Sequence, residues 1–147
     1  MSTVPRANLE EAVAPETSTD EEVPLTQFFF DVEELPGQTN EELLADWPNA
    51  EELFDLLGRD LVTRFIVQTP RLSVNHETAK PGEQVKPHRH GTYQVNYVLR
   101  GELIFGNRHV GAGQGFFSPD MLYSWRAGPE GAEWLEIHSG IAGIYTD

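Results

Sequence analysis

Polar and apolar positions change period once along this chain, near Leu61. Beyond that point short runs alternate with period two: LVTRFIVQ, RLSVNHET, YQVNYVLR, ELIFGNR, GFFS, LYSWRA and AEWLEIHS. Glycine and proline separate the runs at Pro70, Pro81, Gly82, Gly101, Gly106, Gly111, Gly113, Pro119, Gly128 and Pro129. Many short strands at even spacing, with no helical stretch between them, predict an all-β sandwich or barrel over 61–147.

The preceding segment reads differently. In TNEELLADW, Thr39 with Glu42 three positions later is a capping box and predicts a helix start. In NAEELFDLLG, Asn49 is the expected cap, Glu52 takes the third position and Gly58 stops the helix. The stretch LTQFFFDVEEL (25–35) is apolar with an acidic end, and fits either an edge strand or an arm lying on a neighbouring surface. Residues 1–24 are rich in Ala, Pro, Glu, Ser and Thr and show no period. They cannot bury enough apolar surface to offset their ordering entropy, so a disordered tail is expected there. The expected organisation is therefore a tail over 1–24, an arm with short helices over 25–60, and a β domain over 61–147.

Charge sharpens that division. The net charge is -14, and it resides entirely in residues 1–60, which hold 16 acidic and 2 basic side chains. Residues 61–147 hold 8 of each and are neutral. A neutral domain with an acidic arm lacks the clustered Lys and Arg that phosphate contacts need, so nucleic acid and anionic membrane are not expected partners. The absence of cysteine excludes disulfides, thiolate metal sites and a cysteine nucleophile. No apolar run approaches the ~20 residues of a membrane span, and the N-terminus lacks the apolar core of a secretory signal. A cytoplasmic setting is the expectation.

Candidate chemistry concentrates in KPHRHGTYQVNYVLRG (86–101). On a strand, alternate side chains share a face, so His88 and His90 point the same way and Gln94 has the same parity. Two imidazoles and an amide oxygen on one face suit a borderline metal ion. Lys86 and Arg89 flank the pair, and repulsion between cations favours neutral rings. The plainer alternative is a pair of surface histidines beside a turn. His76 shares parity with Leu72 and Val74, an inward set if those residues face the core. His138 lies on the last strand with Trp134 and Glu136. Both read either as hydrogen-bonded structural residues or as an extra ligand. His109, in GNRHVGAG, reads as a solvated hairpin residue.

The glycine frame around the histidines carries a resemblance. Gly82, five residues, His88, one, His90, three, Gln94, six, Gly101 is similar at every spacing to the first motif of the cupin family, Gly, His, His, Glu, Gly. Gly113, five residues, then Pro119 resembles the first half of the second motif. The resemblance runs from about Leu61 to Ser139. It implies a double-stranded antiparallel jelly roll holding one divalent transition metal (Fe, Mn, Ni or Zn) in the barrel mouth, on His88, His90 and Gln94. Two positions depart from the pattern. Gln94 replaces the family's glutamate, as in bacterial hydroxynitrile lyases of this fold, and leaves an ion more positive and a better Lewis acid. Ser124 aligns with the histidine that normally completes the set, so His76, His138 or water would have to serve. Tyr123, Ser124 and Trp125 beside the second motif, with Phe105 and Phe116, are the candidates for pocket walls or proton transfer.

Three functions compete on this basis. One is a metal-dependent enzyme, of dioxygenase, lyase or isomerase type, acting on a small polar or aromatic molecule. Another is a small-molecule-binding module in which metal is absent or structural. The last is a purely structural dimer. A homodimer is expected under each, with LTQFFFDVEEL available to cross to a partner by β-augmentation.

Overall fold

The computed structural model describes residues 23 and 26–147; the tail expected over 1–24 lies almost wholly outside them. A single 3-10 turn, Val32–Glu34, occupies the segment where a strand or arm was expected, capped by Asp31 Oδ1 on Glu33 N at 2.9 Å. Before it, Phe28, Phe29 and Phe30 are exposed. Strand β1 (Gln38–Thr39) leads into helix α1 (Asn40–Leu44). The capping box is present: Glu42 N donates to Thr39 Oγ1 at 3.2 Å, and Thr39 N donates to Glu42 Oε1 at 3.1 Å.

Helix α2 (Ala50–Leu57) ends at Gly58, whose φ of 78° no Cβ opposes. Its start departs from expectation: Asn49 makes no capping bond, and its side-chain nitrogen is buried without a partner. The Asn49 backbone sits at φ -114°, ψ 36° rather than in the extended region from which a cap side chain reaches forward. Leu53, Phe54, Leu56 and Leu57 bury the inner face of the helix.

The rest is β structure, all antiparallel. The strands are β2 (Val62–Gln68), β3 (Ser73–Ala79), β4 (Gln84–His88), β5 (Gln94–Phe105), β6 (Arg108–Gly111), β7 (Gly115–Ser118) and β8 (Tyr123–His138). They pair in the order β1-β2-β3-β8-β5-β6, with β4 added on β8 and β7 on β5. Pairs of short runs in the sequence fuse into the long strands β5 and β8. The fusion is permitted by two glycines at the bend, Gly101 (φ 68°) and Gly131 (φ 79°). A Cβ on Gly101 would lie 2.1 Å from the Gly131 carbonyl oxygen, so the backbones meet where no side chain fits. The apolar core fills the far end of the barrel. Trp125 and Trp134 meet edge-on at 5.0 Å, with Val85, Val98, Leu103 and Leu53 around them. No helix among the described residues is long and apolar enough to cross a membrane.

At the near end of the barrel the usual polarity of a sheet is inverted. The inward residues of β3, β5 and β8 include Asn75, Glu77, Gln94, Asn96, Glu136 and His138, all buried or nearly so. Their outward neighbours are apolar. In one register row Phe117, Val95, Ile137 and Val74 lie side by side across four strands. In the next, Tyr97 pairs with Leu135. Tyr93, Val95, Tyr97, Leu99 and Phe117 are all more than 40% or at 40% exposed. An antiparallel sheet that faces water ordinarily does the reverse.

Candidate functional site

Of these inward residues Asn75, Glu77, Glu136 and His138 line a cavity of about 680 Å³, and Gln94 and Asn96 lie behind its wall. Its base is formed by His88, His90, Tyr123, Glu136, His138, Glu77 and Asn75, and its roof by Leu43, Leu44 and Trp47 of the helical segment with Ile144 near the C-terminus. The arm expected over 25–60 thus contributes wall to the site.

Each imidazole is held by its Nδ1. His88 Nδ1 lies 2.7 Å from Lys86 O, and His90 Nδ1 lies 2.8 Å from Gly143 O. A carbonyl only accepts, so both Nδ1 atoms carry the proton and both Nε2 atoms keep their lone pair. Burial pushes both pKa values down, for His90 to about 3 with His88 beside it adding to the effect. The rings are therefore neutral, and they meet edge-on at 4.9 Å. The flanking cations named from the sequence are not the reason: Lys86 pairs with Asp55, and Arg89 with Asp120 and Asp147.

Tyr123 completes the group. Its hydroxyl donates to His90 Nε2 at 2.9 Å and lies 3.3 Å from Gln94 Oε1, which also accepts from Asn96 Nδ2 at 2.9 Å. Its ring lies 4.8 Å from that of His88. Burial, with the nearby Glu136 charge, pushes the phenol pKa well up. His138 stands next to His90 at 5.1 Å, with both nitrogens engaged: Nδ1 is 2.8 Å from Thr92 Oγ1 and Nε2 is 3.0 Å from Glu136 Oε1.

Two buried carboxyls take opposite states. Burial pushes Glu136 up, but the His138 hydrogen bond and charge, with smaller help from His90 and the Trp134 indole N–H at 3.1 Å, outweigh it and hold the group at about 2. For Glu77 burial and the Glu136 charge act together, and they exceed the effect of the Thr63 hydroxyl at 2.6 Å. The two carboxyls of one cavity wall are thus displaced in opposite directions, Glu77 toward holding its proton and Glu136 toward losing it, the pattern that separates proton donor from acceptor.

The sequence-derived residues divide accordingly. His88, His90, Gln94, Tyr123 and His138 come together, and Trp125 lines the cavity. Ser124 does not join them: it is exposed on the outer side of β8, between the inward Tyr123 and Trp125. His76 is buried outside the cavity, its Nε2 3.1 Å from Glu133 Oε1. Parity with Leu72 and Val74 is correct, but that apolar set faces outward, because the polar set Asn75 and Glu77 claims the interior. Phe105 and Phe116 pack on each other edge-on at 4.8 Å beside the core rather than along the cavity. His109 is half-exposed on its hairpin, 3.1 Å from Glu102. Sequence reasoning missed Glu77, Asn75 and Trp47 as cavity residues. The signal for the first two was present, as polar residues at every second position of β3.

The donor chemistry fits a divalent transition metal. His88 Nε2 and His90 Nε2 are unprotonated, and Gln94 Oε1 is an oxygen donor beside them. The Nδ1-to-carbonyl bonds are the outer contacts that normally aim metal-binding imidazoles. Among the described residues no three His, Cys, Asp or Glu side chains converge on one point, so a donor set here depends on Gln94 and on whatever stands beside it.

No protein-family model and no curated protein matches the sequence. Solved structures do match. An RmlC-like cupin from Shewanella frigidimarina is 19% identical with a TM-score of 0.57, over 78% of this chain and 91% of that one. The polyketide cyclase RemF from Streptomyces resistomycificus is 16% identical with a TM-score of 0.60, over 83% and 85%. A double-stranded β-helix protein from Klebsiella pneumoniae is 23% identical with a TM-score of 0.51, over 59% and 84%. With the strand order and the inward histidine pair, these likenesses show that the chain has the fold of the small cupins, an antiparallel jelly roll built around a polar cavity.

Proposed function

We propose that this protein is a metal-dependent cupin enzyme acting on a small polar or aromatic molecule, in the dioxygenase, lyase or isomerase range. One observation carries the reading: two imidazoles, each locked through Nδ1 to a backbone carbonyl, keep their Nε2 lone pairs at a roofed cavity whose wall also holds the carboxyls of Glu77 and Glu136. His88, His90 and Gln94 would hold the ion. It supplies Lewis-acid activation of a bound oxygen atom. The chain itself supplies Glu136 as a proton acceptor, Glu77 as a donor, and Trp47, Trp125 and Phe65 as flat apolar walls.

Elemental analysis of protein purified without a His-tag tests this. Stoichiometric divalent metal is expected, and its loss in His88→Ala and in His90→Ala with an unchanged β-sheet circular dichroism spectrum. A second reading, a binding module without catalysis, is favoured by one feature: the Tyr123 hydroxyl already satisfies His90 Nε2. Protein that takes up no divalent metal would select it. Under both readings we place a second copy of the chain over the outward apolar face of β3, β5, β7 and β8. The exposed side chains there leave on the order of 500 Å² of apolar surface, at the upper end of what a monomer tolerates. A monomer by light scattering at micromolar concentration would remove that part of the proposal.

A further inference from the structure

The missing histidine of the second motif leaves the donor set short by one, and the structure supplies a substitute one residue earlier. We infer that Tyr123 is itself a metal ligand, its phenol oxygen taking the place that Ser124 cannot fill. The inference rests on the ion reading above and adds to it the identity of the completing donor.

Strand geometry is the first ground. Ser124 points to solvent while Tyr123 and Trp125 point inward, so the inward position nearest His88 is a tyrosine. In the register of β4 on β8, His88 is paired directly with Tyr123. The second ground is the spacing of donor atoms. The phenol oxygen stands 2.9 Å from His90 Nε2 and 3.3 Å from Gln94 Oε1. Bonds of about 2.0–2.1 Å to nitrogen and oxygen set neighbouring donors roughly 2.9 Å apart at a right angle and about 3.4 Å apart at the tetrahedral angle. Both distances from the phenol oxygen fall within the spread of one coordination sphere. His88 stands beside both, its ring centroid 4.8 Å from that of Tyr123 and 4.9 Å from that of His90. The third ground is elimination within the cavity. His138 has both nitrogens bound to Thr92 and Glu136, and His76 lies outside. His138 would have to give up its bond to Thr92 or to Glu136, and His76 would have to cross the sheet, whereas Tyr123 and His90 already face each other and give up only the proton between them.

Coordination by a phenol carries a definite chemical change. The hydroxyl proton is released to solvent water as the ion binds, and the phenolate oxygen bonds the ion with the pair that held the proton. The result is a set of two neutral imidazoles, one amide oxygen and one anion. The anionic donor that the family's glutamate provides would be supplied here by Tyr123, with Gln94 neutral.

The test uses the full chain, stripped with a chelator and reloaded, beside Tyr123→Phe. Tyr123→Phe keeps the ring and its packing and removes only the oxygen. Loaded with iron and oxidised to the ferric state, the wild-type protein should show the visible phenolate-to-iron charge-transfer absorption, and Tyr123→Phe should lack it. Zinc affinity, measured by competition with a chromophoric chelator, should fall at least ~10-fold in Tyr123→Phe, as loss of a ligand costs no less than loss of an outer contact. Equal zinc affinity, or a visible band that survives in Tyr123→Phe, would overturn the inference and leave the ion reading intact. No metal uptake by the wild-type protein would overturn both.

Discussion

Glu77→Gln offers a direct measurement of the carboxyl pair in the cavity wall. Glu77 is 8% exposed, touches the Thr63 hydroxyl at 2.6 Å and faces the charge of Glu136. Its folded pKa is therefore raised well above the ordinary 4.5. An acid with a raised folded pKa keeps its proton in the native state and loses it in the unfolded state once the pH passes 4.5. The native state then binds one proton more, and stability falls by about 1.4 kcal/mol per pH unit until the folded pKa is reached. Stability is thus fully present below pH 4.5 and declines above it. Glutamine has the same shape, accepts the same Thr63 hydrogen bond and has no proton to lose. Near pH 4.5 the two proteins should be equally stable to within ~1 kcal/mol. At pH 7 Glu77→Gln should be the more stable of the two, by about 1.4 kcal/mol for each pH unit that separates 4.5 from the folded pKa or from pH 7, whichever is lower. Urea unfolding of chelator-treated protein, followed by tryptophan fluorescence, reads the difference at both pH values. A gap that stays constant between pH 5 and pH 7 would show that no proton is held at this pair, and the donor role given to Glu77 would fall with it.

Other substitutions check the frame. Gly101→Ala should cost at least ~2 kcal/mol, since it adds both a left-handed strain and a contact at the Gly131 carbonyl; a midpoint within a degree or two of wild type would contradict the close approach of β5 and β8. The two helix starts should respond differently. Thr39→Ala removes a reciprocal cap and should cost about 1 kcal/mol, whereas Asn49→Ala removes a buried, unpartnered amide and should be neutral or stabilising. Equal losses in chemical denaturation would mean that Asn49 caps after all.

The fold was legible because turn chemistry and strand period agree along most of 61–147. Strands β2, β3 and β7 fall on runs visible in the sequence, and the glycine frame around His88 and His90 points to a jelly roll. Three short strands escaped, among them the two-residue β1. β4 is polar and ends on the His88 side of Pro87, and β6 is a four-residue hairpin arm, so neither carries enough alternation to stand out. The site was legible where spacing is local, as for His88, His90 and Gln94. It was misread where orientation had to be assumed. Period two says which residues share a face but not which face is inside, and the ordinary rule sends Leu72, Val74 and His76 inward. A strand that lines a polar cavity obeys the opposite rule, so Asn75 and Glu77 escape notice, while of the two roles open to His76 the hydrogen-bonded structural one is what its bond to Glu133 shows. Ser124 failed for a related reason: spacing counted from Gly113 and Pro119 landed one residue from the inward position. The union of short runs into β5 and β8 depends on a meeting of two glycines thirty positions apart, which no local window contains.

The bond from His90 Nδ1 to the Gly143 carbonyl makes the aim of this side chain a property of a segment outside every strand. That segment is sewn to the 89–91 turn: Arg89 and Tyr145 exchange backbone bonds at 2.8 and 2.9 Å, Gly143 N reaches His90 O at 2.8 Å, and Arg89 Nε reaches Asp147 O at 2.6 Å. The Tyr145 ring lies so close to Gly91 that a Cβ there would sit 2.9 Å from it. A fusion partner or affinity handle joined after Asp147 would therefore hold a lever. Tension on it would pass through Arg89 to the imidazole next door, altering tautomer and direction at His90 while every strand of the barrel stayed in register.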